Sequence, residues 1–452
     1  MRMTPAISLA ALFAAAGLFA ATPVAKWDVV PNQRFKGVFN AGVVAFHESA
    51  LEVSFSVNGK VVHTAARKEL NPRTDVTEYV FPVDSSLYGD RKLVITAEVK
   101  AKGGEAISLP PITLYSNEKG TMGSRTNIWV DVENGIDYAE GTESAPVKTF
   151  AVAMRKCGDG GTIYCKKGIY PVNRMGGGYA RRFWTTIRPA PGLSAGDVKV
   201  RGGRPATDLV RFKDVDVFVD VAGTHGMLIA GEGSLRTVNA WFDNCRLYNK
   251  RGAAAADVSP FGNKLSAYVT GGVSARLKNG PCYAKLVRNH KVRQITSEAF
   301  SGNDMLVVNS SVVGVDPGTD IEAKPAVFAG CAITPEWLHD IVFYNVKCEG
   351  VQGNGLLGTR VRDSAFVNVS INGGGKENYT RFSDRMENVL FVNVQQPALE
   401  WDWHQGNVKK PGAYVPVDVR VYGCKARDMY GFPTTDGSQG LLVGEGGLLD
   451  DL

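Results

Sequence analysis

The chain has 452 residues, of which 21% are charged and 44% hydrophobic, and its formal net charge is +6. This length excludes a single ordinary domain and predicts two, and the composition is that of a globular protein. The 51 glycines fit a fold that consists mostly of turns and short strands.

The N-terminal segment 1–25 has the layout of a secretory signal peptide. Arg2 provides a short basic start, and an apolar run of small and hydrophobic residues follows as far as Ala21. This run is shorter than the roughly 20 residues that a membrane-spanning helix needs. We expect cleavage between Ala20 and Ala25 and a secreted, periplasmic or envelope-associated protein; a membrane anchor is the alternative. No later segment is apolar enough to span a membrane.

Residues 26–117 show the alternation of short β-strands. Apolar and polar residues alternate in Leu51–Val57, and Asn58-Gly59 then predicts a hairpin turn. About seven such strands predict a β-sandwich of immunoglobulin-like type. A polar, glycine-containing linker follows at 118–126.

One pattern recurs through the second half of the chain: an apolar run, a polar corner residue that is usually Asn, and another apolar residue. The corners in chain order are Asp220, Asn244, Asn289, Asn309, Asn345, Asn368, Asn393 and Gly423. A period of roughly 20–30 residues is typical of a solenoid. Because no amphipathic helices separate the strands, we predict a parallel β-solenoid. The wider spacings after Asn244 and Asn309 indicate a second or an enlarged rung.

Asn suits such a corner for two physical reasons. It tolerates the left-handed backbone conformation, and its amide can donate to one neighbouring coil while it accepts from the other. We therefore expect a ladder of Asn side chains along the solenoid.

The solenoid opens with a characteristic segment at 127–170. It contains the strand Asn127–Val130, a Gly-Thr-x-x-x-Pro turn, a short helical stretch at 151–156 and the turn Gly160-Gly161-Thr162. This opening resembles that of the pectate-lyase-like right-handed β-helix proteins, in which the short helix covers the open N-terminal end of the coil.

The resemblance covers roughly 127–430 and implies a right-handed parallel β-helix over 127–452. The preceding sandwich looks like a module often placed before such helices in secreted bacterial proteins. The predicted fold class is therefore all-β, a right-handed parallel β-helix (solenoid) preceded by a small β-sandwich.

The resemblance also implies that one face of the coil binds an extended polysaccharide. Cleavage of a uronate polymer by β-elimination needs a base, a cation that neutralises the carboxylate, and residues that hold the neighbouring sugars. The segment 276–293 is rich in basic residues and has no carboxylate. It supplies the candidate catalytic residues Arg288, His290, Lys291 and Arg293 and the candidate substrate-binding residues Arg276 and Lys285.

In this scheme Lys291 or Arg293 is the base and Arg288 neutralises the carboxylate. The alternative for the whole segment is a solvated basic surface. His290 follows the Asn289 corner, so we expect it to face outward or into a turn, and a structural role is its alternative. Glu298 adds a carboxylate to the same region.

An enlarged loop follows the Asn309 rung and provides Lys324 as a further candidate base. Similar β-helix proteins have a His-Pro-Asp-Val type element at this point, but this chain has Lys324-Pro325-Ala326-Val327 and lacks both polar groups. That departure favours a non-catalytic protein. The region from Asp304 through this loop also holds candidate Ca²⁺ ligands, with a solvated acidic turn as the alternative. These ligands are Asp304, Asp316, Asp320 and Glu322.

The third candidate region is Glu400–His404. In a strand, Trp401 and Trp403 share one face and Asp402 and His404 share the other. The two Trp side chains would form a sugar-stacking platform, and Asp402 with His404 an acid–base pair. The alternative is that the Trp pair packs on a C-terminal cap.

The sequence therefore predicts a secreted protein that binds an acidic polysaccharide and cleaves it by β-elimination. A glycoside hydrolase that uses carboxylates such as Asp402 and Glu298 is one alternative, and a non-catalytic carbohydrate-binding or adhesive envelope protein is another. The chain has no Gly-x-Ser-x-Gly, His-Glu-x-x-His or Walker motif. We expect a monomer, no nucleic-acid partner, and no cofactor unless calcium is needed.

Overall fold

The computed structural model describes the chain from residue 22 to residue 444, with gaps. The described ranges are 22–124, 126–172, 175, 181–202, 208–219, 238–250, 265–275, 277, 280–281, 284–293, 298–300, 302–313, 331–333, 338–349, 356–372, 380–395, 399–401, 417–422, 429–430 and 441–444. The predicted signal peptide lies almost entirely outside these ranges. Within them, no helix is both long enough and apolar enough to cross a membrane.

The N-terminal unit is a small β-sandwich of ten strands. They are β1 Val24–Trp27, β2 Arg34–Phe35, β3 Val38–Phe46, β4 Leu51–Val57, β5 Lys60–Ala65, β6 Glu69–Asn71, β7 Val76–Asp84, β8 Arg91–Ala101, β9 Ala106–Ser108 and β10 Ile112–Ser116. One sheet has the order β1-β3-β7-β6, and the other has the order β2-β10-β8-β4-β5 with β9 on β8. The pairings are antiparallel, apart from β2, which runs parallel to β10.

The alternation in β4 sorts its side chains between the sandwich core and solvent. Val53 and Phe55 are fully buried between the two sheets, together with Phe81 from the opposite sheet. The predicted hairpin turn is confirmed, because Asn58 and Gly59 both have positive φ (50° and 83°). This conformation matches the twist of the two strands that the turn joins.

The one α-helix among the described residues, α1 Phe150–Cys157, covers the start of the coil. Thr149 caps it by accepting a hydrogen bond from the Val152 amide at 3.3 Å. The buried face of α1 includes Met154, and Phe150 stacks on Tyr170 of the coil with ring centroids 5.2 Å apart. The predicted helix at the N-terminal end of the coil is confirmed.

The remaining strands, β11 to β34, pair with one another only in parallel among the described residues. They are β11 Asn127–Val130, β12 Thr162–Cys165, β13 Gly168–Pro171, β14 Thr185–Pro189, β15 Val198–Arg201, β16 Val210–Lys213, β17 Asp216–Val219, β18 Val238–Asp243, β19 Arg246–Asn249, β20 Leu265–Thr270, β21 Val273–Ala275, β22 Ala284–Arg288, β23 Lys291–Arg293, β24 Glu298–Phe300, β25 Met305–Val313, β26 Cys331–Ile333, β27 Leu338–His339, β28 Ile341–Glu349, β29 Leu356–Asn372, β30 Thr380–Val392, β31 Leu399–Trp401, β32 Val417–Tyr422, β33 Met429–Tyr430 and β34 Leu441–Gly444. The predicted fold class, a parallel β-helix preceded by a small β-sandwich, is confirmed.

The coil has three faces, which we call the first, second and third sheets. The first sheet passes through β14, β16, β18, β20, β22 and the starts of β25 and β28. The second passes through β13, β15, β17, β19, β21, β23 and the ends of β25 and β28. The third contains β24, β26, β31, β33 and the starts of β29 and β30.

Identical register from coil to coil builds the core as stacks of like side chains. Phe343, Phe366 and Phe391 pair in register, are fully buried, and stack face to face with centroids 5.5 and 5.1 Å apart. Aromatic stacking adds to the hydrophobic stabilisation of each ring.

The predicted Asn ladder is confirmed at the corner between the first and second sheets. Asn345 donates to the Asn309 side chain at 3.0 Å, Asn368 donates to Asn345 at 3.1 Å, and Asn393 donates to Asn368 at 2.9 Å. All four have φ between 48° and 54°. The ladder therefore uses both properties of Asn, its amide and its tolerance of positive φ.

Two predicted corners, Asp220 and Gly423, lie outside the described residues, and the run before Asp220 does not belong to the first sheet. The apolar run before Asp220 is β17, which belongs to the second sheet, and the corner of that coil is Asp214, with φ 54°. Asp214 accepts a hydrogen bond from Asn244 at 2.8 Å. Strands of the first and second sheets both place an apolar run before a polar residue, so the pattern alone does not separate them.

The two wide spacings have different causes. The interval between the corners Asn244 and Asn289 contains an additional rung, β20, whose corner is Gly271 with φ 66°. The interval between the corners Asn309 and Asn345 contains no extra rung of the first sheet, because β25 pairs directly with β28. The second interval is therefore an enlarged connection within one coil.

Replacement of Asn345 tests the ladder. We expect Asn345→Ala to lower the free energy of unfolding by about 2 kcal/mol, because it removes two side-chain hydrogen bonds and places Cβ in the left-handed region. Asn345→Gly, which tolerates positive φ, should cost less. Urea denaturation of both variants measures the difference, and equal losses would show that backbone conformation contributes nothing.

Candidate functional site

The sandwich packs along the outer face of the first sheet and covers it. Side chains from the sandwich and the sheet form one apolar cluster. Its members are Val24, Val30, Val44, Phe46 and Val76 from the sandwich, and Trp184, Leu209, Trp241, Tyr268, Leu286, Leu306, Val308, Val342, Tyr344, Ala365, Val367, Leu390 and Val392 from the coil. Phe46 meets Tyr344 edge to face at 5.1 Å. This face of the coil is therefore closed to a polymer.

Arg288 lies inside this interface. Its side chain is 8% exposed and forms an ion pair with Asp28 of the sandwich, which is fully buried. The guanidinium of Arg73 is a second positive charge near Asp28. The structure thus places the predicted neutralising cation where it holds the two domains together, and not on an open face.

His290 is buried inside the coil, so it does not face outward, and its contacts are those of the structural role given above as the alternative. Its Nδ1 lies 2.7 Å from the Gly271 carbonyl oxygen and its Nε2 lies 2.8 Å from the Ser274 hydroxyl. A carbonyl only accepts hydrogen bonds, so Nδ1 carries the proton and Nε2 accepts from Ser274. Burial lowers the pKa of His290 to about 4. The neutral imidazole fills the coil interior just after the Asn289 corner.

Lys285 and Asp304 lie in a cleft of about 350 Å³ between the sandwich and the coil. Asp304 accepts from Lys26 at 2.6 Å and from Lys285 at 2.7 Å. Burial by itself raises the pKa of Asp304, but the two ammonium groups outweigh it and hold the pKa below its usual range. Trp27 and Tyr268 also line the cleft.

The other predicted calcium ligands, Asp316, Asp320 and Glu322, lie outside the described residues. Among the residues that the structure does describe, no three His, Cys, Asp or Glu side chains converge on one point. The role of Asp304 as a metal ligand stays a prediction.

Lys291 and Arg293 lie on the outer face of the second sheet, which we call the basic face. Side chains of each strand alternate between this face and the buried interior, where Val200, Leu247 and Val292 lie. In coil order, the outward residues are Lys199, Arg201, Asp216, Phe218, Arg246, Tyr248, Val273, Ala275, Lys291, Arg293, Ser311, Val313, Lys347 and Glu349.

Cations outnumber anions on the basic face, and the anions are paired. Arg246 holds the buried Asp216 through two hydrogen bonds, and Lys347 pairs with Glu349. Within the described part of the chain, no carboxylate lies within ion-pairing distance of Lys199, Arg201 or Lys291, and these three give the face its excess positive charge.

An aromatic pair interrupts the charges. The ring of Phe218 stacks on that of Tyr248, with centroids 5.8 Å apart and planes inclined by 18°. Phe218 is buried and Tyr248 is half-buried at the surface. Tyr248 thus presents an amphipathic ring to a ligand that lies along this face.

The structure does not bring Trp401 beside Lys291, because their strands belong to different sheets. Glu298 and Trp401 occupy the third sheet, and four coil-to-coil pairings separate their strands, β24 and β31. This corresponds to about 19 Å along the coil. Arg276, Lys324, Asp402, Trp403 and His404 lie outside the described residues, as do the side chains of Glu298 and Trp401.

Sequence reasoning missed Lys199, Arg201 and Tyr248. A signal was present, because the tripeptide Lys-Val-Arg occurs both at Lys199–Arg201 and at Lys291–Arg293. The first copy precedes the recurring Asn pattern, so that pattern does not predict its place in the coil. Its strand, β15, is a rung of the second sheet.

No protein-family model and no curated protein sequence matches this chain. Among solved structures it is similar to a rhamnogalacturonan lyase, with a TM-score of 0.36 and 11% identity over 70% of this chain and 84% of that one. It is also similar to a GH136 lacto-N-biosidase from Eubacterium ramulus, with a TM-score of 0.32 and 10% identity over 70% of this chain and 67% of that one. Function is therefore inferred below from the geometry of the chain itself.

The buried ion pair gives a direct test of the domain interface. We expect Arg288→Met to lower the free energy of unfolding by roughly 3–5 kcal/mol, because it leaves Asp28 buried and poorly compensated. The double variant Asp28→Asn, Arg288→Met should lose less than Arg288→Met alone. Denaturant unfolding gives the cycle, and Arg67→Met is the control, since its pair with Glu69 is exposed. If the double variant lost as much free energy of unfolding as Asp28→Asn and Arg288→Met lose together, the two charges would not be coupled.

Burial of His290 predicts a pH dependence of stability. The folded-state pKa of about 4 lies below the ordinary value of 6.5, so the unfolded chain binds the proton more readily. Stability from this group is complete above pH 6.5 and is lost as the pH falls towards 4, by roughly 3 kcal/mol in all.

His290→Asn keeps a donor near the position of Nδ1 and does not titrate. Its unfolding free energy should fall less than that of the parent protein between pH 7 and pH 4. All other groups titrate in both proteins. Parallel pH profiles would therefore show that His290 does not contribute to the loss of stability at low pH.

Proposed function

We propose that this protein binds an extended acidic polysaccharide along the basic face and cleaves it by β-elimination at Lys291 and Arg293. The observation that carries the proposal is the row of cationic side chains in register on the second sheet. Stacked parallel strands hold such a row rigidly, with about 4.8 Å between successive rungs. An anionic polymer is the complementary ligand for a row of this kind.

The packing of the domains supports this choice of face. The sandwich buries the outer face of the first sheet under an apolar cluster, whereas Lys291 and Arg293 of the second sheet remain partly exposed. A polymer can therefore reach the second sheet without displacing the sandwich.

The two catalytic side chains have complementary tasks. Lys291 and Arg293 are two residues apart on β23, so their Cα atoms are roughly 6–7 Å apart and both side chains leave the same face. Arg293 pairs with the uronate carboxylate and stabilises the charge that develops on it. Lys291 takes the proton from the carbon that bears this carboxylate.

The reaction then balances without a further reagent. The electron pair of the broken C–H bond forms a carbon–carbon double bond, and the neighbouring glycosidic C–O bond breaks. The leaving oxygen takes a proton from water, and Lys291 returns its proton to solvent. The products are one saturated fragment and one fragment with a conjugated, unsaturated end.

Elimination fits the basic face better than hydrolysis. The described carboxylates of the basic face are Asp216 and Glu349, and both form ion pairs with cations. Five coil-to-coil pairings separate their strands, which corresponds to about 24 Å. The two carboxyl groups of a glycoside hydrolase lie only about 5–9.5 Å apart.

The test is an ultraviolet assay for the unsaturated product on pectate, alginate, glucuronan and sulfated polymers, with calcium present. We expect turnover on one uronate polymer and a loss of at least roughly 100-fold in Lys291→Gln, since removal of a general base typically costs that much. Lys92→Gln, which removes an exposed charge from the sandwich, is the matched control.

Two outcomes would contradict the proposal in different ways. Retardation of the protein in a polymer-containing gel without any product would leave a carbohydrate-binding rod and remove the catalytic assignment. Neither retardation nor product on any of the polymers would remove the binding function as well.

A further inference from the structure

The two copies of Lys-Val-Arg occupy equivalent places on the basic face. In both, the central Val is fully buried in the coil and the flanking Lys and Arg point outward. In the strand register, Lys199 lies next to Asp216 of the following rung, and the same column continues through Arg246 and Val273 to Lys291. The two cationic pairs are therefore in one row, separated by four rungs.

The distance between the pairs follows from strand geometry. Four rungs correspond to about 19 Å along the coil. Between them the surface carries no net charge among the described outward residues, because Arg246 is neutralised by Asp216 and the next rung presents Val273 and Ala275. The row thus consists of two separate cationic positions with the Tyr248 ring between them.

We propose that Lys199 with Arg201 and Lys291 with Arg293 are two anion subsites that a single polysaccharide chain occupies at the same time. The proposal rests on the function proposed above and defines the ligand more narrowly. A 1,4-linked pyranose extends a chain by about as much as one rung, so the ligand spans about five consecutive sugars. Its acidic groups lie at both ends of that span, and an apolar sugar face meets Tyr248 in the middle.

Simultaneous binding has a measurable consequence. Once one subsite holds the chain, the second binding event is intramolecular, and the effective concentration of the second acidic group is high. Oligosaccharides too short to reach both pairs gain nothing from this effect. Affinity should therefore rise in a step of at least tenfold, and not gradually, when the ligand becomes long enough to span both pairs.

The experiment measures dissociation constants by calorimetry for size-fractionated oligogalacturonates and oligoalginates, from disaccharide to decasaccharide. We use the Lys291→Gln background so that the probes are not cleaved; Arg293 keeps a cation at that subsite. We expect the step near the pentasaccharide. In the additional variant Lys199→Gln, Arg201→Gln, short oligomers should bind as before and the step should disappear.

A matched control removes two exposed charges elsewhere. Lys92→Gln, Lys100→Gln lowers the net charge by the same amount but changes only the sandwich, so it should keep the step. A control that also loses the step would show that overall charge, and not the pair of subsites, sets the affinity.

The outcomes separate this inference from the proposed function. Polymer binding with a smooth length dependence that is insensitive to Lys199→Gln, Arg201→Gln would overturn the two-subsite inference and leave the proposed function intact. No retardation of the unmodified protein by pectate, alginate or glucuronan would overturn both.

Discussion

Parallel pairing in constant register is the constraint on which the rest of this structure depends. Within the strands, the backbone groups of a coil bond to the coils on either side, so most strand residues are placed directly above their equivalents. The consequences appear on the inside as the Phe343–Phe366–Phe391 stack and at the corner as the Asn ladder. On the outside, the same constraint turns recurrent Lys and Arg residues into a row. The core, the corners and the candidate binding face therefore have one physical origin.

Docking of the sandwich then decides which outer face stays open. An apolar stripe along the first sheet would be costly to expose, and the sandwich removes it from water with Val44, Phe46 and Val76. Ion pairs at two places in the interface fix the orientation: Asp28 with Arg288, and Glu48 with Arg420. Loss of Asp28 or of Arg288 leaves the other charge buried, and loss of Glu48 leaves Arg420 buried, so the interface tolerates little displacement.

The distribution of charge follows from this arrangement. Arg288 belongs to the same basic segment as Lys291 and Arg293, yet it lies on the first sheet while they lie on the second. The Asn289 corner between them turns the chain. One segment therefore serves two purposes, and burial separates them: a cation under the sandwich stabilises the interface, whereas cations on the neighbouring face are available to a polyanion.

Much of the fold could be predicted because it depends on local pattern. Alternation marked the strands of the sandwich, as in β4, and the Asn corners marked successive coils because few other residues tolerate positive φ and bond in both directions. The pattern was less informative where a corner is not Asn. Gly271 concealed a rung, and Asp214 was missed because the apolar run that follows it has the same appearance as the run that precedes a corner.

The candidate site was predicted only in part, for a different reason. The sequence by itself determined the strand alternation that turns Lys291 and Arg293 outward, because the direction of each side chain in a strand depends on neighbouring residues alone. Only the tertiary structure decided that Arg288 is covered, that His290 points inward to Ser274, and that Lys199 stands four rungs from Lys291 in the same row. These facts depend on which strands stack and which face the sandwich occupies, and contacts between residues so distant in the chain leave no local pattern.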